Sequence, residues 1–380
     1  MISQRIYLDF NASTPIAPEV VEAMKPFLSQ HFGNPSSPHW AGIPAKEAIE
    51  HAREQVAELL KCRPSEIVFT SGGSESNNQA IKGIFFALKE RGNHIITTQI
   101  EHPAILNPCE FLEKLGAEVN YVGVDRYGMV DPGDIERTIQ SKTILITVMH
   151  ANNEVGTIQP IEEISKIARK HKIIFHTDAA QSVGKIVTRV NDLGVDLLSI
   201  AGHKLYAPKG IGALYIREGT PIEPLIHGAG HESGRRAGTE NVLLIVGLGK
   251  ACEIAKRYLS DDKIRNLRDH LWKLLQDNFG EAIVLNGHPF QRLPNTLNVS
   301  FVGKVGGEIL SRLDGVAAST GAACHSGSVE LSPVLKVMGI LPEVGMGAIR
   351  FSLGRTTTIQ ELENVVHLIK ESLHSLHRCL

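Results

Sequence analysis

An α/β fold, with a mostly parallel sheet covered by helices and a smaller α+β domain behind it, is the expectation for this 380-residue chain. Two observations predict it: short β-rich runs alternate with amphipathic stretches from Ile67 onward, and that rhythm changes near residue 261. In order, the runs are "EIVFT", "HIITTQ", "TILITVMH", "KIIFHTDA", "DLLSIAG" and "GALYIR", with helical segments such as "IEEISKIARKHK" among them. Strand and helix alternating in this way favour parallel neighbours with helices on both faces. The run "TENVLLIVGLGKACEIAKRYL" and its charged continuation "SDDKIRNLRDHLWKLLQDNF" read as helices. After them "NTLNVSFV", "GEILSRLD", "GAIRFSLG" and "TIQELENVVHLIKESLHSL" read as the smaller unit.

Composition narrows the classes of partner. With 42% hydrophobic and 21% charged residues the chain can bury a large core, and a net charge of −2 gives no basic surface for nucleic acid. No apolar run approaches the ~20 residues of a membrane span, so a small-molecule substrate is expected. The start "MISQRIYLDF" lacks a basic region followed by an apolar run, and the five cysteines cannot all pair. A reducing cytoplasm with free thiols is the expectation.

Ligands of parallel sheets bind beyond the carboxyl ends of the strands, so polar residues there carry most information. "SIAGHKLYAPKG" places His203 and Lys204 just after a strand, and "KIIFHTDAAQS" ends its strand on Asp178. Consecutive parallel strands are usually neighbours, which brings the two charges to one rim. A surface lysine or a structural ion pair remains open on these residues; the alternative is a pyridoxal phosphate site, which needs an amine for the aldehyde and a carboxylate for the ring nitrogen. A phosphate seat favours the cofactor. In "SGGSESNNQAIKGIF", Gly72, Gly73 and Ser74 open a helix whose first amide groups and dipole suit an anion, without the P-loop or G-x-G-x-x-G spacing of nucleotide sites. "ITTQIEHPAIL" adds His102 at another strand end, placed to stack on a ring and carry protons.

Taken together, "IYLDFNASTP", "FGNPSSPH", "FTSGGSESNN", "EHPAIL", "HANNEVGTIQP", "FHTDAAQSVGK", "SIAGHKLYAPKGIGALYIR", "GRRAGTEN", "STGAACHSGS" and "RFSLGRTTT" resemble the cysteine desulfurases of the NifS/IscS type, pyridoxal-phosphate enzymes of the class V aminotransferase family. The resemblance covers almost the whole chain and implies the type I aminotransferase fold. It divides the chain into a large cofactor-binding domain at 15–260 and a small domain at 1–14 and 261–380. By motif, Lys204 matches the lysine that binds the cofactor aldehyde, His203 a cofactor contact, Asp178 the partner of the ring nitrogen and Gln181 the group beside the ring hydroxyl. Gly73 and Ser74 match the phosphate cradle, His102 the residue stacked on the ring, and Asn153 a contact of cofactor and substrate. Asn34 and Arg350 match the residues that hold the substrate carboxylate, a task suited to a guanidinium fork. Thr239 matches a residue that reaches the phosphate of a neighbouring subunit, which implies a homodimer with shared active sites. Cys324 matches the nucleophile, on a stretch of small residues expected to form a mobile loop. The implied reaction converts L-cysteine to L-alanine and leaves a persulfide on Cys324 for a sulfur-acceptor protein, in iron–sulfur cluster assembly or thio-modification.

Departures accompany the match. Ala201 stands where the family often has a serine contacting the phosphate, and "TGAAC" replaces the common "SGSAC", with His325 after the cysteine. The chain stops at "LHSLHRCL", which leaves the sulfur acceptor open. A selenocysteine lyase shares nearly all these motifs. A thiol or metal sensor built on the seventeen histidines and five cysteines, including His374, His377 and Cys379, lacks paired ligand spacing and is a distant alternative, so no metal is expected. Cys62, Cys109 and Cys252 read as structural thiols.

Overall fold

The computed structural model describes residues 5–320, 322–325 and 328–377; the side chains of 322–325, 328–329 and 374–377 lie outside the description. The side chains of Cys324, His325, His374 and His377, and the whole of Cys379, are thus outside the described residues.

After a short strand β1 (Ile6–Tyr7), seven strands build the large sheet: β2 (Ile67–Thr70), β3 (His94–Thr98), β4 (Glu118–Val122), β5 (Thr143–Thr147), β6 (Ile174–Asp178), β7 (Leu197–Ala201) and β8 (Gly212–Ile216). Their order is β2-β8-β7-β6-β5-β3-β4. Only β8 is antiparallel to its neighbours in this sheet, so β2 points the same way as the parallel strands and its carboxyl end joins theirs on one rim. Fully buried runs such as "TILIT" and "LLSIA" suit strands covered on both faces; of the two edge strands, β4 has alternating exposure along "EVNYV" and β2 is buried throughout. Side chains alternate between two cores. Val68, Ile95, Leu197 and Leu214 pack against helices Gly73–Leu88 and Pro103–Glu113; Phe69, Ile96, Leu198 and Ala213 pack against helices Ile43–Leu60 and Val242–Ala255. The last two helices approach closely because Gly249 lacks a side chain: a Cβ there would stand 2.6 Å from Ala52 Cα.

The smaller unit contains β9 (Ile283–Asn286), β10 (Thr296–Phe301), β11 (Val316–Ala317), β12 (Ser319–Thr320), β13 (Ala322–His325), β14 (Ser328–Leu331) and β15 (Ala348–Ser352). An antiparallel sheet in the order β12-β15-β10-β9 is covered by helices Lys263–Phe279 and Ile359–His377. Ile6 and Leu8 join this core, and β1 pairs with β11 in parallel, so the N-terminal strand packs with the C-terminal third of the chain. The stretch expected as a loop around Cys324 is partly extended instead: β13 and β14 pair as antiparallel strands with Cys324 opposite Val329. Thr320, Val329 and the serines tolerate extended backbone, and the antiparallel partner supplies the hydrogen bonds a loop would lack.

Candidate active site

A cleft of about 680 Å³ opens at the rim where β2, β5, β6 and β7 end, and Arg350 closes it from the smaller unit. Among the residues expected from sequence, Asp178, Gln181, His203 and Lys204 line it from one side. Gly73, Ser74, His102, Asn153 and Arg350 line the rest.

Lys204 closes a short 3₁₀ turn, Gly202–Lys204, immediately after β7, and its Nζ donates to the carbonyls of Asn11 (2.6 Å) and Ala12 (2.7 Å). Burial, then the charge of Arg350, pulls its amine down to about 8, against opposing pulls from Asp9 and Asp178. Asp178, buried at the end of β6, accepts from Asn77 Nδ2 (2.7 Å) and from the amide of Ala180 (2.9 Å). The strands carrying these two residues are direct parallel neighbours, with Asp178 opposite Ser199.

The helix Gly73–Leu88 begins at the cleft with no side chain capping it, so its first amide groups lack intrahelical acceptors. Gly72 has φ +150° and a Cβ added there would meet nothing within 4 Å, so the backbone is open on that side. Ala201 packs beneath this turn: a Cβ on Gly73 would lie 3.2 Å from its methyl group. Ala201 thus offers this turn an apolar contact and no hydroxyl.

Two histidines flank the lysine. His102 caps the helix Pro103–Glu113, accepting from the amide of Ala104 at Nδ1 (3.0 Å). Burial, and secondarily Lys204, lowers its pKa, with Asp178 opposing. The neutral ring assigned by this cap carries its proton on Nε2, and accepting a second proton at Nδ1 requires releasing Ala104. His203 is lowered to about 4, first by burial and then by Lys204, Lys209 and His102, and is neutral in ordinary buffers.

Arg350, in β15, is held on both amino groups of its fork. Nη1 donates to the carbonyl of Asn153 (3.1 Å), and Nη2 donates to Asp9 Oδ1 (2.7 Å) and Ser319 Oγ (2.9 Å). Its Nε is buried without a hydrogen-bond partner among the described residues. Asn34 and Thr239 do not line the cleft of their own chain and are exposed; Asn34 accepts from the amide of Ser36 (2.9 Å). Sequence reasoning missed Asp9, Asn11, Glu75, Lys185 and Ser319. The signal for Asp9 and Asn11 was present in "IYLDFNASTP", whose polar residues were used for resemblance alone.

Of the free cysteines with described side chains, Cys62, Cys109 and Cys252, burial pushes all three thiols up to about 12, so none is a ready nucleophile. Among the described residues, no group of three or more His, Cys, Asp and Glu side chains gathers to hold a metal.

The donor set fits pyridoxal phosphate: an uncapped helix start and glycine turn for the phosphate, a buried carboxylate for the ring nitrogen and a lysine whose amine loses its proton near pH 8. Comparison with known proteins carries this to a family. The class V aminotransferase profile matches residues 6–365. The cysteine desulfurase IscS of Dictyoglomus turgidum is 50% identical over 379 residues, covering 99% of this chain and 96% of the relative. The chain belongs to the cysteine desulfurases. Its backbone matches a solved NifS-like protein with TM-score 0.92 and 40% identity, covering 98% of this chain and 100% of the other. A solved structure of SspA in complex with cysteine matches with TM-score 0.82 and 41% identity, over 92% of this chain and 98% of that one. This cysteine desulfurase is a pyridoxal-phosphate enzyme with the class V aminotransferase fold, and no helix among its described residues is long and apolar enough to cross a membrane.

Proposed function

We propose that this cleft removes sulfur from L-cysteine with Lys204 as the amine that binds the cofactor aldehyde, Asp178 as the partner of the ring nitrogen and Cys324 as the sulfur acceptor. The observation that carries the reading is the lysine amine, lowered to about 8, on the same rim as a buried carboxylate and an uncapped helix start. When bound, pyridoxal phosphate supplies an electron sink for charge developing at the substrate's α-carbon. Gly73 and Ser74 hold the phosphate, Gln181 lies beside the ring hydroxyl, and His102, His203 and Asn153 flank the ring. Arg350 receives the substrate carboxylate, and Asn34, away from the cleft of its own chain, is assigned the companion role by motif alone. Lys204, once its amine is released, takes the α-proton at Nζ. The Cys324 thiolate attacks the substrate sulfur; an S–S bond forms as the C–S bond breaks, its electron pair stays with the carbon fragment, and protonation of that fragment yields alanine. His102 lines the cleft, and with Nδ1 engaged by Ala104 its neutral ring has Nε2–H as the donor, so His102 helps a proton reach the departing fragment more readily than it strips one from the thiol.

The reading extends to assembly. Thr239, exposed and away from its own cleft, reaches the phosphate of a second copy, and the enzyme works as a homodimer that passes sulfur to an acceptor protein in the cytoplasm. The segment carrying Thr239 is docked beside the phosphate cradle through Arg236, whose Nε donates to Glu75 Oε1 (2.9 Å). The test is Cys324→Ala. The yellow cofactor should remain bound while sulfide release from cysteine under reductant falls by about 100-fold or more, as expected for a lost nucleophile; release at the wild-type rate sinks the assignment.

A further inference from the structure

We propose that Lys185 is a positioning residue that holds the Gln181 side chain with its N–H group toward the cofactor's ring hydroxyl, an inference that rests on the reading of Gln181 above. Lys185 does not line the cleft; its stem borders a separate crevice of about 40 Å³ behind the wall. Its Nζ reaches inward to Gln181 Oε1 (2.7 Å) and Asn11 Oδ1 (3.1 Å), both on buried residues. No acidic side chain among the described residues forms an ion pair with it, and burial followed by the charges of Lys204 and Arg350 disfavours its ammonium form. An amine placed there is costly, and the chemistry of the cleft does not use it.

Its geometric consequence is the orientation of one amide. Gln181 Nε2 donates to the carbonyl of Asn11 (3.0 Å), and Gln181 lines the cleft. Reversing the amide would set Oε1 against the carbonyl of Asn11, a repulsive contact in a buried place, and would take from Lys185 Nζ the acceptor it now has. With Lys185 present, Oε1 is committed to the wall and the second hydrogen on Nε2 is left for an acceptor in the cleft. Without it, the oxygen loses its donor, and the carbonyl of Asn11 alone still favours this orientation. The same Asn11 carbonyl accepts from Lys204, so this contact sits directly beside the reactive amine.

The test titrates pyridoxal phosphate into full-length cofactor-free protein and reads the dissociation constant and the visible absorption band of the bound cofactor. Gln181→Ala should weaken binding about tenfold, the size of one hydrogen bond to a charged oxygen, and shift the band. Lys185→Met, which keeps an unbranched apolar stem and removes the donor, should reproduce both changes, and the double variant should be no worse than either single one. Lys185→Arg, whose added volume can enter the adjoining crevice, should stay near wild type. A Lys185→Met protein with wild-type constant and band beside an altered Gln181→Ala overturns the role of Lys185 and leaves that of Gln181. An unaltered Gln181→Ala overturns the reading of Gln181 and the inference with it. A Lys185→Met protein that loses melting temperature alone also overturns it. Should that variant fail to fold by circular dichroism, Lys185→Gln, one bond shorter and out of reach of Oε1, takes its place with the same expectations.

Discussion

At the rim of the large sheet, Asp178 takes one hydrogen bond from Ala180, two residues on, and Lys204 follows its strand by three positions. At the edge of the small sheet, Arg350 is held by Asp9, 341 positions away in sequence, and by Ser319, 31 positions away. The rim places its charges through the path of the chain, since a strand that ends at the rim delivers whatever residue comes next. The edge places its charge through side chains recruited from remote segments, so its geometry depends on the packing of the whole smaller unit. The strand-end placement of the lysine and carboxylate should therefore tolerate changes elsewhere in the fold, their polar contacts with Asn11, Ala12 and Asn77 apart, while the arginine should respond to single substitutions far along the chain.

The largest effect tests the rim. Lys204→Ala should lower sulfide release on the order of 10⁴-fold or more, as removal of a central reactive group does. In the wild-type protein, reductive trapping of pyridoxal phosphate should speed up with pH about a midpoint near 8, where the Lys204 ammonium loses its proton, and trapping at this site should be absent in the variant. A midpoint near the ordinary lysine value would contradict the buried position of the amine.

An intermediate effect tests the edge. Asp9→Asn removes the anion that, on the proposed role of Arg350, competes with the substrate carboxylate, but keeps an oxygen for Ser319 and Nη2. Two further anchors, Asn153 and Ser319, keep the guanidinium in place, so KM for cysteine should fall about fivefold as the competing charge disappears. The midpoint of Lys204 should move below 8, because Asp9 raises that amine. A rise in KM would show that Asp9 is needed to hold Arg350 and that competition is the lesser effect.

The smallest effect on turnover comes from a group behind the rim. Glu101, the buried residue before His102, accepts from Thr98 Oγ1 and the amide of Met149 at Oε1, and among the described residues its Oε2 has no partner. Burial raises its carboxyl from 4.5 to about 8, so the neutral acid is the favoured form. The stability tied to that form is complete below pH 4.5 and lost as pH rises through 8. Glu101→Gln should keep turnover within about twofold while its melting temperature declines less than wild type between pH 5 and 8. Parallel curves would mean that the carboxyl titrates normally.

The β-rich runs, the strand-end positions of Asp178 and Lys204 and the glycine turn before the helix Gly73–Leu88 were legible from order along the chain, because each is a local event: a buried run, then a turn, then a polar residue. Cys324 was singled out by motif alone and its side chain lies outside the described residues; the antiparallel pairing of β13 with β14 was not legible, since small residues carry little periodic signal. The reversed direction of β8 was equally hidden, because a buried run reads the same in either direction.

Long-range packing settled the rest. Asp9 and Asn11 became part of the site because Ile6 and Leu8 bury themselves in the core of the C-terminal unit, which carries the following residues to Arg350 and Lys204. Lys185 gained its partner because the turn after β6 folds back on Asn11. Local pattern encodes which residues end a strand; hydrophobic burial of distant segments decides which side chains then meet, and that sum over the whole chain has no signature in any one stretch.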